Sequence, residues 1–469
     1  MDITPTLEVY PNSDSDINKL YDIQKEGNTM HKFDKKKFTS QILNILDYIL
    51  FFVFICLLII LIATSTNINL FADSVDYYGI LQWLTPEKEK PIVSNLYFAE
   101  QRSPGYSLLS LIPYSLLTVF VEPFVTTEKV SEYKPPYLDF PKEMVKRVAG
   151  SEKIFLPPQP LHIKDLFFKD YYISSEDSWY QWKLALSLLL TSFFFLFIGL
   201  WANSKVLNLY YPASKCLFII PITLLTSSML IISILNLPLF ATLTYYGLSS
   251  LFLLFICLSF RSNKGLYVIL SGFILGLLVL TRLELSIFVF LLIGYFLFTK
   301  RKRFLLFLCL GGLAPFIVLV IYNLSFFGIP LHLGILKGDI NTLGLNWRYI
   351  FENLIHPESG VLFWTPLLIP WLLFLITTKD SILKVIGFCS FILIIFYTLR
   401  IPIMYYHIGQ GVINIGGIPV TVPGTPIEMR ELIRFDINRY VCVLIPFSIL
   451  GISIGIHKIH NLLIKKYAK

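Results

Sequence analysis

Two carboxylates follow directly after the first long apolar run of the chain. Residues 71–78 read FADSVDYY, which places Asp73 and Asp76 three residues apart near the predicted membrane surface. A carboxylate in such a place can serve as a general base that accepts a hydroxyl proton. Asp73 can also cap the helix that the following residues predict. Spacing alone leaves both roles open.

A second unusual charge is Arg282, which lies between the apolar runs 266–280 and 285–298. A guanidinium at membrane depth costs on the order of 3 kcal/mol unless it is partnered or close to water. Arg282 therefore either faces a polar cavity, pairs with nearby Glu284, or lies at the outer interface.

These polar residues belong to a very apolar chain. Of its 469 residues, 55% are hydrophobic and 15% are charged, whereas about a quarter of a soluble domain is charged. The apolar runs are long enough to cross a hydrocarbon core, and in lipid they must be helical. We predict an all-α polytopic membrane protein with about ten transmembrane helices, at residues 45–63, 184–201, 216–232, 239–260, 266–280, 285–298, 304–322, 361–376, 385–399 and 441–456.

The basic residues of the short loops orient these helices, because Lys and Arg concentrate on the cytoplasmic side. With ten spans, the loops carrying Lys205, Arg261, residues 300–303 and Lys379 all fall on the side of the two termini. We predict a plasma or inner membrane protein whose termini are both cytoplasmic. It has a polar tail at 1–43, a membrane domain at 44–469, and long outer loops at 64–183, 323–360 and 400–440.

The apolar segment 104–121 is the exception to this scheme. If it crossed the membrane, every later loop would change sides and the basic loops would be split between the two faces. We therefore predict an interfacial or re-entrant helix on the outer surface.

Composition disfavours other kinds of partner. The net charge of +8 is explained by cytoplasmic loops that face anionic lipid, so no nucleic-acid partner is predicted. The six cysteines show no CxxC spacing, which favours apolar packing over a disulfide frame or a metal cluster. No metal site is assigned, because the outer-loop histidines match no ligand pattern; they are His332, His356 and His407.

The order of short motifs resembles a known enzyme superfamily. Residues 73–77, DSVDY, resemble the acid-x-x-x-Tyr element after the first span of GT-C glycosyltransferases of the protein O-mannosyltransferase and aminoarabinose-transferase type. Residues 102–106, RSPGY, are similar to the basic-x-Pro-Pro/Gly segment that opens an outer juxtamembrane helix there. The resemblance covers most of the chain from about residue 45, with further similar segments at 280–284, 323–330, 360–366 and 439–447.

The resemblance implies an enzyme that transfers a sugar from a polyprenyl-phosphate carrier to an acceptor hydroxyl on the outer face, with inversion. The first Asp of the element is catalytic in that superfamily, which corresponds to Asp73, and Tyr77 completes the element on the substrate side. Ser74 stands where the family often has Glu, so Asp76 remains an alternative base. An inverting transfer needs one base and cationic groups that hold the departing phosphate. Guanidinium groups suit that second role, and the candidates are Arg102, Arg282 and Arg439.

Each arginine also has an ordinary explanation. Arg102 can be a loop charge and Arg439 an interfacial residue that reaches for water. The Gly that usually precedes the late Arg of the family is replaced by residues 436–438, DIN. Beyond the lipid-linked donor no cofactor is implied, a divalent metal is left open, and the acceptor can be a protein, a lipid or a glycan.

Two other classes of function remain open. A lipid-linked glycan transporter is expected to show repeat symmetry and interrupted helices in matching positions of two halves, and neither is apparent in the sequence. An O-antigen polymerase or ligase is expected to concentrate Arg and His in a large loop between late spans. It is not expected to place an acid just after the first span.

Overall fold

A computed structural model describes residues 41–42, 44–68, 73–86, 103–124, 161–162, 176–211, 217–235, 238–262, 264–330, 348–355, 360–399, 412–415, 418–421 and 441–467. These residues are mostly helical. Short 3-10 segments cover Glu122–Phe124, Leu283–Leu285 and Cys442–Leu444. The α-helices are α1 Asn44–Ser65, α2 Asp73–Leu84, α3 Gly105–Phe120, α4 Glu176–Tyr210, α5 Ile219–Thr226, α6 Ser228–Leu235, α7 Thr242–Ser262, α8 Gly265–Thr281, α9 Ser286–Phe298, α10 Lys302–Phe327, α11 Arg348–Ile355, α12 Val361–Trp364, α13 Leu368–Ile376, α14 Ser381–Leu399 and α15 Ile445–Tyr467.

Two short antiparallel strand pairs accompany the helices. Strand β1 at Asn67–Ile68 pairs with β2 at Leu161–His162, with Asn67 opposite His162. Strand β3 at Val412–Ile415 pairs with β4 at Ile418–Thr421, with Val412 opposite Thr421. Both pairs lie in segments that we predicted as outer loops, where the apolar pattern had not predicted strands.

The described helices are those of a membrane protein. Seven segments are long and apolar enough to cross a bilayer: 44–65, 105–124, 183–210, 242–262, 302–325, 381–399 and 442–459. Shorter apolar helices lie at Gly265–Thr281 and Leu283–Phe298. The prediction of a mostly helical protein is confirmed for the described residues, and the seven long apolar helices support the predicted membrane location. The count of ten crossings stays a prediction, although each of the ten predicted apolar segments is helical over most of its length.

Two of the predicted spans are interrupted. The third is divided into α5 and α6 at Ser227, whose φ of −94° and ψ of 78° leave the helical region. The eighth is divided into α12 and α13 by residues 365–367. Thr365, with φ −143° and ψ 64°, precedes Pro366, and a residue before proline is disfavoured in the α conformation.

The first helix, α1, packs loosely. Only 17% of its most apolar window is buried inside the protein. Asp47 is nevertheless buried, and its carboxylate accepts hydrogen bonds from the backbone N–H groups of Leu217 and Phe218 at 2.7 and 2.8 Å. These N–H groups lie just before α5, where helical partners are lacking. The Asp47 carboxylate therefore joins α1 to the start of α5.

The helix termini meet at two opposite ends of the bundle, and one of them we call the basic end. It contains the end of α4, where Tyr210 donates a hydrogen bond to Asp380 at 3.2 Å. Arg261, at the end of α7, lies 4.4 Å from the Tyr210 ring centroid. Lys458 of α15 donates to the carbonyl of Thr377 at 3.0 Å. The same end carries further described basic residues: Lys264, Lys300, Arg301, Lys302, Arg303, Lys379 and Lys384.

The opposite end we call the site end. Thr66, just after α1, donates to the carbonyl of Ile234 in α6 at 3.2 Å. The rings of Phe288 in α9 and Phe447 in α15 are stacked at 5.8 Å. The ends of α1 and α6 and the starts of α9 and α15 therefore share this side, so successive apolar segments alternate in direction through the bundle.

Helix α3 departs from this alternation. The Tyr106 hydroxyl, at its start, donates to the Leu188 carbonyl and shares a hydrogen bond with Ser192, both at 2.8 Å. Glu122, just past its end, forms an ion pair with Lys183 at 2.8 Å. Leu188, Ser192 and Lys183 all lie in the N-terminal half of α4. Both ends of α3 thus contact the same half of one neighbouring helix.

Candidate functional site

The two predicted bases lie in the first turn of α2, which begins at Asp73. The side chains of residues 73–76 lie outside the described residues. Acidic residues in a first helical turn are stabilised by the helix dipole whether or not they catalyse a reaction. The choice between a catalytic and a capping Asp73, and between Asp73 and Asp76, stays a prediction.

The following residue, Tyr77, fixes this turn against α3. Its side chain is buried, and its ring meets the Tyr106 ring edge-on at a centroid distance of 5.1 Å. The Ser107 hydroxyl donates a hydrogen bond to the Tyr77 carbonyl at 2.7 Å. Tyr77 therefore connects the turn that carries Asp73 to the start of α3, and its contact with substrate stays a prediction.

The neighbouring Tyr78 is also buried. Burial raises the pKa of Tyr78 well above its ordinary value, and the nearby Tyr180 raises it further. The Tyr78 phenol is therefore neutral at physiological pH, which excludes it as a competing base beside the two aspartates.

The start of α3 touches the end of α8. A Cβ added to Gly105 would lie 2.5 Å from the carbonyl carbon of Leu280 and from the nitrogen of Thr281. Only glycine permits this approach of two backbones. Motif 102–106 therefore packs against motif 280–284. Arg102 itself lies outside the described residues.

Arg282 has an extended backbone between α8 and the short 3-10 turn, with φ −150° and ψ 109°. Its side chain is buried, and its Nη1 lies 2.9 Å from Oε1 of Glu284. The guanidinium carbon lies 5.8 Å from the ring centroid of Tyr245, in the first turn of α7, within the range of a cation–π contact. Of the three alternatives for Arg282, the pairing with Glu284, which is its ordinary structural explanation, is present, and the contact with phosphate stays a prediction.

The last apolar segment returns to this region. Val443 and Leu444 line a small cavity together with Leu278 and Leu285, which lie on either side of Arg282 in the sequence. The described chain resumes at Val441. Arg439 lies just before that point, outside the described residues.

The other two motifs have visible structural roles. In the segment 323–330, Gly328 ends α10 in the left-handed conformation with φ 69°, and the Asn323 amide donates to the Pro330 carbonyl at 3.3 Å. In the segment 360–366, Gly360 precedes α12, and the interruption before α13 follows. Tyr322, beside the first segment, packs against Ile80 of α2. The end of α10 therefore also lies near the site end.

An apolar groove lies between α8, α9 and α10. Its volume is about 280 Å³, and its lining includes Gly272, Gly276, Leu280, Ser286, Leu308 and Leu319. Helices α8 and α10 approach each other closely at the groove, because a Cβ added to Gly272 would collide with the Leu308 carbonyl. Leu280 and Ser286 flank the Arg282–Glu284 pair in the sequence. The groove therefore has apolar walls, and Arg282 and Glu284 are not among the residues that line it.

Lys183 is a charged residue that the motifs did not single out. Its side chain is 1% exposed, pairs with Glu122, and places its ammonium 4.6 Å from the Tyr114 ring centroid. The sequence feature that could have pointed to Lys183 is its position at the start of a predicted membrane span. Its partner lies on a different helix, 61 residues away, which spacing does not predict.

The described part of the chain contains few residues that could bind a metal ion or act as reactive thiols. No group of three or more His, Cys, Asp or Glu side chains there could hold a metal ion. His332, His356, His407 and Cys216 lie outside the described residues. The described free thiols are Cys56, Cys257, Cys309, Cys389 and Cys442.

No protein-family model, no curated protein and no solved structure matches the chain. The described residues form a mostly helical protein with seven helices long and apolar enough to cross a bilayer, in which the starts of α2 and α3 and the end of α8 meet.

Proposed function

We propose that the protein is a membrane glycosyltransferase of the GT-C type, which transfers a sugar from a polyprenyl-phosphate carrier to an acceptor hydroxyl. One observation carries the proposal: the start of α2, the start of α3 and the end of α8 meet at the site end. The Ser107–Tyr77 hydrogen bond joins the first two at 2.7 Å, and the contact of Gly105 with Leu280 joins the last two. These are the segments that carry the predicted base and two of the predicted phosphate ligands.

The groove supports a donor that is both apolar and charged. A polyprenyl phosphate has a long hydrocarbon chain, which gains free energy on apolar surface, and a phosphate, which suits a guanidinium. The groove between α8 and α10 offers the apolar surface, and Arg282 follows one of its lining residues, Leu280, by two positions in the sequence. A ligand site that combines apolar walls with a few placed polar groups is the usual kind.

The proposed chemistry is a single displacement. The acceptor oxygen attacks the anomeric carbon from the face opposite the phosphate, forming one C–O bond. The bond from that carbon to the phosphate oxygen breaks, and the electron pair stays on the phosphate. Asp73, or Asp76 in its place, accepts the hydroxyl proton. The charge that develops on the phosphate is stabilised by Arg282, together with Arg102 and Arg439.

We also propose ten crossings, cytoplasmic termini and a site on the outer face of the plasma or inner membrane. The alternating helix ends support the count, and the concentration of lysine and arginine at the basic end supports the orientation. Helix α3 is treated as non-crossing because both its ends contact the N-terminal half of α4. Large apolar side chains on one of its faces are more than half exposed, which suits an interfacial helix; they are Ile112, Leu116, Val119 and Phe120.

The test is transfer by the purified full chain in detergent. A panel of radiolabelled polyprenyl-phosphate sugars is supplied with a crude acceptor fraction from the same membranes, and the label in each lipid is followed. We expect one donor to lose its label to the acceptor, with unlabelled polyprenyl phosphate as the second product. Retention of every label with folded protein would contradict the proposal.

A lipid-linked glycan transporter remains the second candidate, because two apolar segments are interrupted. They are the third and the eighth of ten, which are matching positions in two halves of five. The interruptions differ, since α5 and α6 have eight residues each whereas α12 has four. In liposomes, movement of the glycolipid across the bilayer with its sugar–phosphate bond intact would favour transport over transfer.

A further inference from the structure

The connection from α9 to α10 concentrates positive charge at the basic end. We call residues 299–303, TKRKR, the α9–α10 turn. Its basic residues are exposed except for Arg301, which is half-buried. None of them forms an ion pair with another residue that the structure describes, and the sequence has no acidic residue between Glu284 and Asp339. Within the described chain, this charge therefore has no counter-charge of its own.

The backbone of the α9–α10 turn is closed by hydrogen bonds. The N–H groups of Lys300 and Arg301 donate to the carbonyls of Leu297 and Phe296 at 3.1 and 3.0 Å, which is the pattern of a Schellman motif. Lys300 takes the left-handed conformation with φ 55°, at the position of this motif where glycine is usual. A side chain in that conformation is disfavoured by contact of its Cβ with the backbone. A lysine therefore stands where a glycine would give a more stable turn.

Aromatic rings hold the turn beside the ends of two other helices. The guanidinium carbon of Arg301 lies 4.9 Å from the ring centroid of Phe260, in the last turns of α7, within the range of a cation–π contact. A Cβ added to Gly265, the first residue of α8, would lie 2.7 Å from the ring of Phe307 in α10. Lys264, which is exposed, directly precedes Gly265. It adds a further positive charge from the neighbouring connection.

Large apolar side chains surround these charges. Phe298 is 89% exposed, and Leu266, Leu297 and Leu306 are each more than half exposed. Hydrocarbon has to cover such side chains, because their exposure to water is unfavourable. The turn therefore lies at the boundary of the hydrocarbon core, level with lipid headgroups. A free phosphate would match the charges and leave the apolar side chains uncovered, whereas a lipid with an anionic headgroup matches both.

We propose that the α9–α10 turn, together with Lys264, binds the anionic headgroup of a membrane phospholipid. The proposal does not depend on the glycosyltransferase reaction. It assigns the site to one part of the basic end, and Lys379 and Lys384 at the same end provide the comparison. They lie next to an acidic residue, since Lys379 precedes Asp380 in the sequence and the Lys384 N–H donates to the Asp380 carbonyl at 3.1 Å. Positive charge there has a carboxylate close by.

The experiment measures lipid selection by the purified full chain in uncharged detergent. Equal amounts of phosphatidylglycerol and phosphatidylcholine with the same type of acyl chain are added, and the lipids that stay bound are counted by native mass spectrometry. We expect the native protein to prefer phosphatidylglycerol. An excess of soluble glycerol phosphate should not displace it. Absence of the preference, or displacement by glycerol phosphate, would overturn the proposal.

Two double variants with equal loss of charge test the location of the site. Lys302→Gln with Arg303→Gln should lower the preference for phosphatidylglycerol on the order of tenfold, because each basic residue near anionic lipid strengthens binding about fivefold. Lys379→Gln with Lys384→Gln should keep the native preference. Equal losses in the two would mean a general attraction of the basic end for anionic lipid and would overturn the assigned site.

Lys300→Gly separates the charge from the stability of the turn. Glycine adopts the left-handed conformation without steric cost, so thermal unfolding without added phosphatidylglycerol should occur at the same or a higher temperature. The preference for phosphatidylglycerol should nevertheless fall about fivefold. A lower unfolding temperature with an unchanged lipid preference would give Lys300 a structural role and contradict the proposal.

Discussion

The two ends of the bundle are built from different contacts. At the basic end, polar side chains hold turns: Tyr210 donates to Asp380, and Lys458 donates to Thr377. At the site end, polar side chains also join helices, as where Ser107 donates to the Tyr77 carbonyl, and glycine permits a close backbone approach where Gly105 meets Leu280. The basic end therefore fixes connections, whereas the site end fixes the relative positions of helices.

The longest predicted connections lie at the site end, although the turn between α8 and α9 there is short. At the basic end α7 and α8 are joined by residues 263–264, and α9 and α10 by residues 299–301. At the site end the predicted loops are 64–183, 323–360 and 400–440. Functional residues concentrate in loops that a rigid scaffold positions, so the comparison favours the site end as the place of chemistry.

The largest expected effect is an all-or-none difference in labelling between the ends. In a background with all six cysteines replaced by alanine, Ser74→Cys and Ser359→Cys should react with a membrane-impermeant maleimide in intact cells. Lys302→Cys should react only after permeabilisation, because the basic end is predicted to face the cytoplasm. Labelling of Lys302→Cys in sealed cells would show the ten-span orientation to be wrong.

The next effect concerns the base. Asp73→Asn should lower the transfer rate by roughly 10² to 10⁴, as expected for a positioned general base, while donor binding persists. Asp76→Asn should have the smaller effect. The control is Asp380→Asn at the basic end, which should lower thermal stability and leave turnover per folded molecule unchanged.

A capping Asp73 gives the opposite result, because Asn is also a good N-cap. Near-normal turnover in Asp73→Asn would therefore remove that residue from the mechanism. If Asp76→Asn were then inactive, the base would lie three residues further along α2.

A smaller effect is expected from the helix contact at the site end. Gly105→Ala introduces a methyl group against the backbone of Leu280 and Thr281, and overpacking of this kind costs about 1–3 kcal/mol. Gly294→Ala in α9 is the matched control, since nothing lies within 4 Å of its added Cβ. Thermal unfolding should separate the two variants. Equal stability would mean that α3 and α8 do not approach as described.

The smallest effect is expected at the basic end. Tyr210→Phe removes the hydroxyl that bonds Asp380 at 3.2 Å, and the loss of one such hydrogen bond costs about 1 kcal/mol. Tyr267→Phe is the control, because the Tyr267 ring stacks on Phe255 and should keep that contact. Transfer activity should be normal in both. Loss of activity in Tyr210→Phe at unchanged stability would contradict the division of roles between the ends.

The sequence predicted the helices well because each apolar run carries its own signal. It predicted the Arg282–Glu284 pair as one of three options, since those residues are neighbours. It did not predict the contact of Gly105 with Leu280, because that contact joins residues distant in sequence. The interruption at Thr365 had a local signal in Pro366, whereas nothing in the local residue pattern explains the one at Ser227.

The hydrogen bonds of Asp47 bear on how the protein is assembled. The carboxylate and its partner Leu217 are 170 residues apart, so the bond cannot form until synthesis has passed the long first loop. Until then the Asp47 carboxylate lacks both of these backbone partners. The contact between α1 and the start of α5 can therefore be completed only after the third apolar segment has been made.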